Sequence, residues 1–122
     1  MDTIKIFIGN ETADVSKWTQ LLNDKIKGCT IDVVHGNDKL KRNSTYLIYS
    51  FTPDNAGVKT IIDVVDDSNR YKSKVIFYFM NEEDKFTKHQ LKSLKATGKM
   101  VALNGGKWFE KIEDLIDHID KS

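Results

Sequence analysis

The chain is poor in residues that staple, break or anchor a fold. Its 122 residues include one cysteine, Cys29, and one proline, Pro53. A lone thiol excludes an internal disulfide framework and a multi-cysteine zinc site. No apolar run approaches the ~18 residues needed to cross a bilayer. Met1 leads directly into the alternating Ile4, Ile6 and Ile8 with no basic segment or long apolar stretch before them, so a cytoplasmic protein, away from membranes, is expected. Charge of one sign is lacking too: 19 basic against 18 acidic residues leave a net charge of +1. No overall field draws the chain to nucleic acid, and the basic cluster Lys39-Leu40-Lys41-Arg42 reads as a solvated loop. Neither a Gly-x-Gly-x-x-Gly run nor a Gly-Lys-Ser/Thr loop occurs, which removes dinucleotide and P-loop chemistry. No metal and no cofactor is expected.

What is present is an alternation of strand and helix patterns. Strands are predicted at Thr3 to Ile8, Thr30 to Val34, Ser44 to Phe51, Val75 to Phe79 and Lys107 to Phe109. The run Val75-Ile76-Phe77-Tyr78-Phe79 has the composition of a strand covered on both faces, inside the sheet. Helices are read from apolar spacing of three and four. The first, capped by Asp14 or Ser16, carries Val15, Trp18, Leu21, Leu22 and Ile26. The second starts at Asp54 or Asn55, turns Val58, Ile61, Ile62 and Val65 inward, and frays near Ser68. The third spans Thr87 to Asn104 before Gly105-Gly106, and the last uses Ile112, Leu115, Ile116 and Ile119. The connector Gly36 to Asn43 is short for a helical crossover. It reads as an extended loop, or else the second strand is a marginal edge. One domain over residues 1–122 follows: an α/β, Rossmann-like or flavodoxin-like three-layer sandwich with a mostly parallel five-stranded sheet.

In such a sheet ligands bind outside the carboxyl ends of the strands. Three loops should meet there: Gly9 to Ala13, Phe51 to Gly57, and Met80 to Lys85 with Asn81. Gly9 and Gly57 allow close backbone approach, and the helix starts behind the first two loops offer N–H groups to an anion. Carboxylates near that edge are Glu11, Asp54, Glu82 and Glu83, with Asp63 inside the second helix. His35, His89 and His118 are scattered and read as surface or turn residues, while Tyr46, Tyr49 and Tyr78 read as core residues whose hydroxyls need partners. Cys29 starts a strand, remote from the edge.

Several blocks together resemble the small nucleoside 2-deoxyribosyltransferase-like proteins. They are Ile6-Phe7-Ile8-Gly9 with Ser16-x-Trp18, Thr52-Pro53 with Gly57-Val58, Val64-Val65-Asp66-Asp67-Ser68-Asn69, Gln90 to Ala96, and Asn104-Gly105-Gly106-Lys107. The resemblance implies a flavodoxin-like sheet and a small-molecule partner: a nucleoside, a nucleotide or a sugar phosphate. In active relatives a glutamate on the helix after the third strand attacks the anomeric carbon, and a second acidic group protonates the departing base. Asp63 is the position that matches that nucleophile and Asp54 the candidate acid/base, making the chain a transferase or hydrolase at an N-glycosidic bond. Gly9, Asn10, Glu11, Thr52, Asn55, Gly57 and Asn81 are the expected ligand-binding residues, and a homo-oligomer is left open. Asp63 points away from the apolar stripe of its helix, and the Gly36 to Asn43 connector is shorter than in relatives. These features carry a second expectation, a member that binds a ligand or a protein without catalysis. A receiver-like signalling domain has similar element order, but its acidic cluster and lysine are not matched.

Overall fold

The computed structural model describes residues 3–9, 15–52, 58–79 and 86–121. Strands Thr3–Ile8 (β1), Thr30–Val34 (β2), Tyr46–Phe51 (β3), Val75–Phe79 (β4) and Lys107–Phe109 (β5) form one sheet in the order β2-β1-β3-β4-β5. Every pairing is parallel. Helices Val15–Lys25 (α1), Asp38–Asn43 (α2), Val58–Tyr71 (α3), Lys88–Leu103 (α4) and Ile112–Asp120 (α5) cover both faces. The expected flavodoxin-like α/β sandwich is therefore what the chain builds, and its sheet is parallel throughout.

The two faces have separate cores. On one, Leu22 and Ile26 at α1 and Leu115 and Ile119 of α5 pack on Ile6, Ile8, Ile48 and Ile76. On the other, Val64 of α3 and Leu94 and Val101 of α4 pack on Phe7, Leu47, Tyr49, Phe77 and Phe79. Alternate strand residues point to opposite faces, so β1, β3 and β4 need apolar residues at consecutive positions. β4 is buried along its whole length, as its composition predicts. α4 begins with a capping box in which Thr87 and Gln90 bond reciprocally at 2.9 and 3.0 Å. It lies close to β5 because Gly98 has no side chain: a Cβ there would stand 2.5 Å from the Trp108 indole.

β2 is indeed an edge strand, and one side chain closes part of it. Asn23 of α1 donates to the Ile31 carbonyl at 3.0 Å and to the Thr19 carbonyl at 2.9 Å, and accepts from the Ile31 amide at 2.9 Å. The carboxamide thus pairs with both backbone groups of one β2 residue, as a neighbouring strand would.

Five details depart from the sequence expectations. The β2–β3 connector is not an extended loop: it forms α2, whose first turn is capped by the Asn37 side chain accepting from the Leu40 amide at 3.3 Å. β3 begins at Tyr46, because the Ser44 amide and hydroxyl turn back to the Lys41 and Leu40 carbonyls of α2. Ser16 lies within α1 and does not cap it, while Asp14, Asp54 and Asn55 lie outside the described residues. Finally, α3 runs past Ser68 to Tyr71. Ser68 is buried there, donating to the Val65 carbonyl at 2.7 Å and accepting from Asn104 at 2.9 Å. Val64 takes the core position expected of Ile62, which is exposed.

Candidate functional site

In this strand order the chain winds outward from β1 in one direction and from β3 in the other, which makes the boundary between their carboxyl ends the switch point of the sheet, the place where open α/β folds bind ligands. Gly9 and Thr52, both predicted, stand at that boundary. The Gly9 amide donates to the Ile48 carbonyl at 2.9 Å, and the register pairs Ile8 with Ile48, so Gly9 is level with Tyr49. Thr52 lies three residues farther along the chain, just past the end of β3 and about 10 Å higher. β3 therefore makes a wall and the end of β1 a floor.

The Tyr49 ring occupies the space a Gly9 side chain would need. A Cβ at Gly9 would lie 2.1 Å from Tyr49 Cε1 and 2.4 Å from Cζ. Only glycine fits, and the close approach brings the phenol head to the end of β1. Tyr49 is 1% exposed, and its hydroxyl has no hydrogen-bond partner among the described residues. A buried hydroxyl without a partner costs about 1–3 kcal/mol, so the Tyr49 phenol is a group that a hydrogen-bonding partner would stabilise.

His35 adds a third group. Leaving β2, it donates from Nδ1 to the Ile8 carbonyl at 2.8 Å. In the neutral ring that bond fixes the tautomer and leaves Nε2 as an acceptor. Its ring stacks on Phe7 with centroids 6.2 Å apart. Phe7 shares a core cluster with Tyr49, so histidine and tyrosine converge on the same side of β1. Behind them Lys41 of α2 lies 5.7 Å from the Phe7 ring centroid and donates to Asp67 of α3 at 2.9 Å. The side chains of Lys41 and Asp67 are 18% and 7% exposed. Burial alone would lower the Lys41 pKa, but the hydrogen bond and charge of Asp67, with Asp38 at 3.5 Å, outweigh it and hold the ammonium above its ordinary value. This pair braces α2 against α3.

The remaining predicted residues divide in two. Asp63 is on α3, in its second turn, exposed and without a hydrogen bond or ion pair among the described residues. Asn10, Glu11, Asp54, Asn55, Gly57 and Asn81 lie outside the described residues. His35 and Tyr49 were not expected at the site; the available signals were a histidine leaving a strand and a tyrosine hydroxyl within an apolar run. Among the described residues no cluster of three or more histidines, cysteines or acids could hold a metal ion, and no helix is long and apolar enough to cross a membrane. No family model matches the chain, and no curated protein matches its sequence.

Proposed function

We propose that this chain is a nucleoside- or nucleotide-binding domain that holds a small ligand at the carboxyl edge between β1 and β3, in the cytoplasm. The observation that carries the reading is the Tyr49 hydroxyl, buried at the switch point of the sheet with no described partner. A sugar hydroxyl or a base carbonyl satisfies it, His35 Nε2 accepts from a second ligand hydroxyl, and Gly9 leaves the room in which the Tyr49 ring lies. This is the mix of one apolar wall and few convergent polar groups that small polar ligands require.

The same reading extends to transfer or hydrolysis at an N-glycosidic bond, with Asp63 attacking the anomeric carbon and Asp54 protonating the leaving base. Binding without this chemistry is the second reading, and the exposure of Asp63 favours it. A glycosidic nucleophile must reach the bound sugar, whereas a solvent-facing helix carboxylate is hydrated.

Isothermal titration of the whole chain with nucleosides, nucleoside monophosphates and sugar phosphates tests the proposal. One of these classes is expected to bind one to one. Tyr49→Phe should weaken that binding about tenfold, one hydrogen bond's worth, yet raise unfolding stability by about 1 kcal/mol because the unpaired hydroxyl is gone. No binding by any of the three classes, or wild-type affinity in Tyr49→Phe, refutes it. Chromatographic detection of free base, lost in Asp63→Asn, separates the catalytic extension from binding alone.

A further inference from the structure

We propose that the Asn104-Gly105 pair is a spontaneous deamidation site that the folded end of α4 holds inactive, and that opening of that end converts it irreversibly. Asn104 is the one asparagine of the chain followed by glycine. Glycine carries no Cβ to shield its nitrogen, so the side-chain amide of a preceding asparagine is open to attack by the backbone. The fold requires this pair. α4 ends in a Schellman turn: the Gly105 amide donates to the Ala102 carbonyl at 3.0 Å and the Gly106 amide to the Val101 carbonyl at 2.9 Å. Gly105 takes a φ of +103° there, in the left-handed region that favours glycine. Asn104 is fixed through its side chain, donating from Nδ2 to the Ser68 hydroxyl of α3 at 2.9 Å.

In the reaction the Gly105 nitrogen gives up its proton to base and forms a bond to Asn104 Cγ. The Cγ–Nδ2 bond breaks, ammonia leaves, and a cyclic succinimide remains until water opens it to aspartate or, at its other carbonyl, to isoaspartate. One water enters and one ammonia departs, with no change of oxidation state. The folded turn opposes the first step in three ways. The Gly105 proton is held by the Ala102 carbonyl and the Asn104 carboxamide by Ser68. At the Asn104 ψ of 0° the Gly105 nitrogen eclipses the Asn104 nitrogen, turned away from the side chain it must meet. Gly105 is exposed, so base and water reach the site once the last turn of α4 unwinds. Neither product fits back into the same place. Ser68 is buried and donates to the Val65 carbonyl at 2.7 Å, so a carboxylate at position 104 would face the lone pairs of its oxygen. Isoaspartate adds a methylene to the main chain beside Gly106, where a Cβ alone would stand 2.7 Å from Val101 Cγ1.

Peptide mapping of the full chain, incubated in mildly alkaline buffer with and without guanidinium, tests this by following aspartate and isoaspartate at position 104. Conversion is expected in the unfolded chain and should be about tenfold or more slower in the folded one, because only the opened fraction reacts. Ser68→Ala, shown to be folded by circular dichroism, should convert about threefold or more faster than the wild type without denaturant, through loss of one hydrogen bond, and at the wild-type rate in guanidinium. Asn104→Asp, which supplies the product charge directly, should lower the thermal midpoint. Equal rates in the folded and unfolded wild type overturn the proposal, as does an unfolded chain that stays unmodified at position 104. A folded Ser68→Ala that converts at the wild-type native rate overturns it too, and so does Asn104→Asp with an unchanged midpoint.

Discussion

Burial puts Lys41 and Asp67 under opposing pressures. Each loses hydration, and each is held by the other at 2.9 Å. Removing one partner leaves the second charge without compensation, whereas removing both replaces a costly pair with packing. Lys41→Met should therefore destabilise the fold by about 3 kcal/mol, and Lys41→Met combined with Asp67→Leu should recover most of the loss. Urea denaturation of the two singles and the double, read as a mutant cycle, checks this. Neither role was legible beforehand: Lys41 sits in what reads as a solvated basic loop, and Asp67 in a helix end expected to fray. A polar pair of this kind becomes visible only when two residues 26 apart in sequence, on different helices, are brought together. Gly9 was expected to let a ligand approach the backbone, whereas the space beside it is filled by the Tyr49 ring, a contact that depends on the register of β3 against β1.

At the scale of elements, apolar spacing identified the helices better than their faces. The stripe Val58, Ile61, Ile62, Val65 is one choice of phase for α3. The folded helix uses Ile61, Val64 and Val65, a rotation that also turns Ser68 and Asp67 inward. Polar residues that find partners can occupy an inner face, and hydrophobicity alone cannot reveal that. The short α2 escaped because a connector of that length rarely holds a helix; its Asn37 cap was the available signal. α4 offers a sharper test of packing against propensity. Alanine is the better helix former by about 1 kcal/mol. At position 98, however, its methyl group would meet the Trp108 ring, which stacks on Phe79 with centroids 5.9 Å apart. That ring has little room to yield, and overpacking costs about 1–3 kcal/mol. Gly98→Ala is expected to lower stability despite its propensity, with a change in tryptophan fluorescence of the folded state.

For the whole molecule, strand and helix alternation was enough to predict a parallel sheet. The expected site loops lie almost entirely outside the described residues, while the placement of Tyr49 and His35 beside β1 depends on register and ring orientation, which composition does not carry. Stability of the entire fold should respond to pH from both ends. His118 lies against Tyr46 and Phe109, with ring centroids 5.7 and 5.6 Å away. Burial, then the charge of Lys107, lowers its pKa below 6.5. The unfolded chain therefore binds a proton first as pH falls, so stability declines below about pH 6.5 and levels off once the folded ring also titrates. His118→Gln should flatten that limb in thermal unfolding scans. Lys41 acts at the other end: its raised pKa gives a contribution fully present below about 10.5 and lost as pH climbs through its folded value.

A parallel sheet with an open margin can template its own extension, each added strand exposing another like it. Asn23 interrupts that propagation at Ile31 by filling the docking position with a side chain from within the chain. A second chain adding a strand at that margin would first have to displace this carboxamide from Ile31.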